Sequence, residues 1–206
     1  MFEVAGKAKA VAADALQSLV LRLLATLAPG KLRFVFIDPV GLGTNVAGFV
    51  RDLPDELTGG RAWSEARHIE QQLANLSEHM GIVIQKYLGN QYPNMEAYNA
   101  DAGEVAEPYR LVVVANFPVN FTEDAARRLV SIAANGPRCG VYTLVTVDTE
   151  QPLPYGFNLS DLEHARFARE FEMTMRVLGH FIQEAEEHIP FLLRKAQAAE
   201  EYLRRR

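Results

Sequence analysis

With a single cysteine, Cys139, the chain has no intramolecular disulfide framework, which fits a reducing, cytoplasmic compartment. Basic charge is not in excess. Against 26 Asp and Glu stand 21 Lys and Arg, a formal net charge of −5, which excludes a chain-wide basic surface for nucleic acid. No apolar run reaches the roughly 18 residues that would suggest a bilayer-spanning helix. The N-terminal stretch, broken by Glu3, Lys7, Lys9 and Asp14, carries no signal-peptide core, and no membrane contact is expected. Complete nucleotide fingerprints are also missing. A phosphate-binding P-loop reads G-x-x-x-x-G-K-[ST]; in "AGKAKA" (5–10) Gly6-Lys7 resembles its end, but the earlier glycine is absent and Ala8 replaces the hydroxyl. "DPVGLGTNVAG" (38–48) offers Gly41, Gly43 and Gly48, yet Val46 stands where G-x-G-x-x-G needs its third glycine. There is no G-x-S-x-G elbow, and Cys139, set before an apolar run, reads as a buried structural thiol. Five histidines, at 68, 79, 164, 180 and 188, lack metal-ligand spacing; Glu184 and His188, one helical turn apart, read as a surface pair.

What is present is apolar periodicity. Residues 10–27 place Leu16, Leu19, Val20, Leu23, Leu24 and Leu27 on one helical stripe, and a second stripe runs from Ile69 to Tyr87. "LRFVFI" (32–37), "RLVVVANF" (110–117) and "GVYTLVTV" (140–147) read as strands apolar on both faces, which predicts a parallel sheet covered by helices on both sides. Thr122, followed by Glu123 and Asp124, predicts a helix N-terminus, and Gly136-Pro137 its end. In such sheets ligands gather at the carboxyl ends of strands, here Asp38, Ala115-Asn116 and Asp148. From Ser160 the pattern changes. Apolar residues from Ala168 to Leu203 alternate at three and four, the seam of a coiled coil interrupted by Pro190, and "RRR" (204–206) closes the chain. Two units are therefore expected, an α/β domain over 1–158 and a helical extension over 159–206. Residues 168–203 are expected to pack onto the domain, or to join a second copy or another coiled-coil partner.

The order of several pieces resembles the motor domain of the FtsK/SpoIIIE DNA translocases, which are RecA-like P-loop ATPases. "APGKLRFVFIDP" is similar to the family strand ending Ile-Asp-Pro, and "LANLSEHMGIVIQKYLGN" to the helix after it. "NMEAYN" (94–99) is similar to the family's Asn-Ile-x-x-Tyr-Asn. "EPYRLVVVANF" falls where the family carries its Walker B strand, and "CGVYTLVTVDT" on the strand ending Ala-Thr-Gln. The resemblance covers about Ala10 to Pro154. It implies a RecA-like fold, ATP and magnesium as cofactors, and DNA as a partner within a larger assembly.

Residue by residue the resemblance is incomplete. It puts Ala115 and Asn116 at the Walker B acid positions, so Asn116 is the candidate catalytic residue, able to polarise water but not to take a proton. Counting back from Asp38 places the P-loop lysine near Val11–Ala13, where none stands; Lys7 and Lys9 are near but require an insertion. Gly6, Lys7, Lys9, Asp38 and Asp148 are the candidate cofactor-binding residues, with Asp148 expected to repel a γ-phosphate unless a metal intervenes. No metal ligands are identified. Three readings follow: a translocase-like domain degenerate in hydrolysis and kept as a structural or regulatory unit; a divergent ATPase completed by other residues or a neighbouring protomer; and an α/β interaction module assembled through its C-terminal helix.

Overall fold

The computed structural model describes residues 1–27 and 30–166. The seam from Ala168 to Leu203, with His180, Glu184, His188, Pro190 and the terminal arginines, lies outside them.

Near-continuous apolar runs build the middle of the sheet. β1 (Phe2–Val4) leads through a short turn into α1 (Ala8–Thr26), which is followed by β2 (Leu32–Ile37). Two short helices, α2 (Ala47–Asp52) and α3 (Asp55–Thr58), precede β3 (Ala62–Trp63) and the long α4 (Ala66–Ile82). Then come α5 (Met95–Ala102), β4 (Tyr109–Phe117), α6 (Glu123–Asn135), β5 (Val141–Asp148) and α7 (Leu159–Arg166). The strands are ordered β1-β5-β4-β2-β3, and every pairing is parallel. Parallel neighbours need crossover connections, and helices supply them on both faces.

Side-chain alternation assigns the two faces. Phe34, Phe36, Leu111, Val113 and Ala115 pack against α1 through Leu16, Val20 and Leu23. Ile37, Val112, Val114, Val145 and Val147 pack on the other side against Ile69 and Leu73 of α4 and Leu129 and Ile132 of α6. Val112 and Val114 are fully buried, and burial of each such side chain contributes about 1.5–3 kcal/mol. Cys139 is buried in the same layer, as expected.

Local chemistry sets the element ends. Thr122 caps α6 by accepting the Ala125 N–H at 3.1 Å, and its hydroxyl donates to Glu70 at 2.7 Å, tying α6 to α4. At Gly136, which ends α6, a Cβ would lie 2.4 Å from the Ile132 carbonyl oxygen, so only glycine fits. "NMEAYN" is a structural corner. Asn94 caps α5, Met95 is buried, Tyr98 packs between Tyr87 and Tyr92, and the Asn99 amide exchanges two 2.9 Å hydrogen bonds with the Glu107 backbone.

Two edge strands escape the sequence reading. β1 and β3 span three and two residues, too short for a period to show.

Candidate functional site

The carboxyl ends of the strands lie along one edge of the sheet, and β1 supplies its outermost corner. Val4 stands in register with Asp148, and Thr149 donates its N–H to the Val4 carbonyl at 3.0 Å. The chain then turns through Ala5, Gly6 and Lys7 into α1. Gly6 sits at φ +51°, a left-handed conformation that favours glycine. Strand, glycine turn and helix N-terminus together form the setting in which backbone N–H groups and the helix dipole receive a phosphate. Val11–Ala13, to which counting back leads, lies inside α1, whereas Lys9, in its first turn, reaches Asp148 at the edge.

A carboxylate of the chain itself occupies this setting. Lys9 Nζ lies 2.8 Å from Asp148 Oδ2 and 2.7 Å from Glu150 Oε2. Asp148 is buried, and its Oδ1 accepts the Glu150 N–H at 3.1 Å, so the three residues form one closed network. The Lys9 hydrogen bond, followed by one from the Gly6 backbone N–H, holds the Glu150 carboxyl below the usual carboxylate range. Burial pushes the Asp148 carboxyl up, but Lys9 and the Glu150 backbone outweigh it, and the net direction is down. Hydrogen bonds to Asp148 and then Glu150 raise the Lys9 ammonium above its ordinary value. The negative charge of Asp148 is thus paired with the Lys9 ammonium group. Lys7 is exposed and provides the N-cap residue of α1 without a side-chain cap.

Asp38, at the end of β2, is fully buried and organises its own loop. Its Oδ1 accepts the Gly41 N–H at 3.2 Å and Asn45 Nδ2 at 3.0 Å; its Oδ2 accepts the Asn45 N–H at 3.0 Å. A Cβ on Gly41 would lie 2.7 Å from Asp38 Oδ2, which explains the glycine without a ligand. Gly43, at φ +88°, continues the turn, while Gly48 has open space around it. These distances make Asp38 a loop-forming residue that accepts three hydrogen bonds from its own loop.

Between these corners stands Asn116. It lies in an irregularity of the β4–β5 ladder between Val114 and Phe117, at φ +59°, and its N–H donates to Thr146 Oγ1 at 2.9 Å. Its half-buried carboxamide makes no hydrogen bond among the described residues. Ala115 is buried and faces the α1 layer. The structure thus brings Gly6, Lys9 and Asp148 together at one corner, puts Asn116 near the middle of the edge and leaves Asp38 in a separate loop. Sequence reasoning missed Glu150, Thr146 and Asn45. Glu150 carried one signal, an acidic residue two positions beyond a strand-ending Asp148.

A magnesium nucleotide does not fit these residues. The turn between Val4 and Ala8 is too short to wrap a phosphate, Lys9 is committed to two carboxylates, and Glu150 places negative charge where the phosphate would sit. At the strand position of a metal-supporting acid stands buried Ala115.

An all-parallel sheet with the glycine turn on β1, next to β5, and β4 at its centre has the RecA-like architecture of P-loop ATPases. More particularly, the fold is that of FtsK/SpoIIIE-type motor domains. It is similar to ATPases 2 and 3 of EssC from Geobacillus thermodenitrificans, at 20% identity and TM-score 0.62, over 80% of this chain and 30% of that one. The cytoplasmic domain of the type VII secretion ATPase EccC from Thermomonospora curvata matches at 20% identity and TM-score 0.60, over 80% and 19% of the two chains. The pCW3 conjugation coupling protein TcpA, solved with ATPγS, matches at 13% identity and TM-score 0.54, over 71% and 42%. The chain therefore spans less than half the length of each. No protein-family model matches the sequence, nor does any curated protein. No helix among the described residues is long and apolar enough to cross a membrane.

Proposed function

We propose that this chain is an FtsK/SpoIIIE-like ATPase domain that does not hydrolyse ATP and serves as a structural or regulatory unit of a larger assembly. One observation carries the reading: the Lys9–Asp148–Glu150 network closes the turn where a phosphate would bind. Ala115 and Asn116 support it, because neither side chain can act as a base, and losing one preorganised electrostatic contact typically costs about 10²–10³ in rate. DNA contact, in this reading, belongs to the assembly, since the chain is acidic overall. Residues 168–203 are the element that joins a second copy or another partner; a chain ending after Ser160 should sediment at a lower oligomeric state.

A divergent ATPase is the second reading. Exposed Lys7 beside the turn and the unbonded Asn116 carboxamide favour it. Phosphate release from magnesium ATP separates the two. The expected result is a background rate for the natural chain and for the Ala115→Asp/Asn116→Glu variant alike. A rate that rises with the restored acids would show that nucleotide still reaches the edge, and the non-hydrolysing reading would fail.

A further inference from the structure

The opposite, amino-terminal edge of the sheet carries positive charges that the fold pairs only in part. Arg33 of β2 and Arg110 of β4 are register partners in adjacent parallel strands, so their side chains emerge side by side on the same face. That face is the one covered by α4, which brings up His79. Within this group only Glu107 offers a carboxylate, 3.6 Å from Arg110 Nη2, longer than a close charge-assisted hydrogen bond. Arg110 Nε is buried and has no hydrogen-bond partner, and exposed Arg33 makes no hydrogen bond or ion pair among the described residues. Adjacent guanidinium groups repel one another, so the cluster stands at a free-energy disadvantage that an oxyanion beside exposed Arg33 and the part of Arg110 that reaches solvent would reduce. His79 reports the same field. Burial, followed by the Arg110 and Arg33 charges, lowers its pKa to about 4.

We propose that Arg33, Arg110 and His79 form a binding site for a phosphate-type oxyanion, free or as a small ester, at the amino edge of the sheet. Two guanidinium forks present more donors than a planar carboxylate accepts, and a tetrahedral oxyanion has oxygens for both. The site is independent of the carboxyl edge and of any nucleotide chemistry there.

The test is an NMR titration of the His79 ring in the whole chain, with inorganic phosphate added at constant ionic strength and acetate in parallel. A His79→Gln spectrum assigns the signal among the five histidines. Phosphate should raise the His79 pKa from about 4 in a saturable way. Arg33→Gln, an exposed substitution that spares the fold, should weaken phosphate binding about tenfold. Arg127→Gln, on the exposed face of α6, should leave it unchanged. An unmoved His79, an equal loss in both arginine variants, or an acetate effect as large as that of phosphate would each overturn the proposal.

Discussion

The two edges of the sheet differ in how they treat charge. At the carboxyl edge, where open α/β folds bind ligands, the charges are paired within the chain: Lys9 bridges Asp148 and Glu150, and Asp38 accepts three hydrogen bonds from Gly41 and Asn45. At the amino edge Arg110 has one carboxylate partner, Glu107 at 3.6 Å, its buried Nε has no hydrogen-bond partner, and Arg33 beside it has no ion pair among the described residues. The same sheet thus pairs its charges closely at one edge and only in part at the other.

Asp38→Ala should give the largest break in this contrast. It removes three hydrogen bonds to a buried carboxylate and leaves the Asn45 amide unpaired, an expected loss of about 3 kcal/mol in urea denaturation. Acid acts next, through the amino edge. His79 has a folded pKa of about 4, below its ordinary value of 6.5, so the unfolded chain binds the proton more readily. Stability should thus fall as pH drops from about 6.5 towards 4. For a half-buried ring the loss is on the order of 1–2 kcal/mol, and it should vanish in His79→Gln, measured as the urea midpoint against pH. The carboxyl-edge network titrates lower. Asp148 and Glu150 are both held below the ordinary carboxylate range, so their stabilisation is present above pH about 4 and is lost as pH falls through their folded pKa values. Lys9→Ala should flatten that acid limb and shift the neutral-pH midpoint less than Asp38→Ala does, because Lys9 and Glu150 are partly solvated.

The central architecture was legible because β2, β4 and β5 are apolar on both faces and α4 and α6 keep a clear helical period. Thr122 and Gly136 announced the ends of α6 through chemistry that acts within a few residues. Phe2–Val4 gave no such signal. Three residues carry no period, and β1 exists because β5 pairs with it across the length of the chain. Gly6 was singled out by its likeness to the end of a P-loop, but without β1 its place in a strand-to-helix turn could not be read. Glu150 carried only its closeness to Asp148 as a signal, because its partners, Lys9 and Gly6, meet it only once β1 and β5 are neighbours. Asp38 was singled out for the right property, its position at the end of a strand, but its neutral partner Asn45 turns it inward to the loop.

Equilibrium binding of a fluorescent ATP analogue with magnesium, to the natural chain and to Lys9→Ala, decides most directly whether the β1–α1 turn is closed. A closed turn gives no saturable binding to the natural chain up to millimolar nucleotide. Micromolar binding that disappears in Lys9→Ala would mean that Lys9 leaves its carboxylates for a phosphate, and the domain would be a nucleotide-binding one after all.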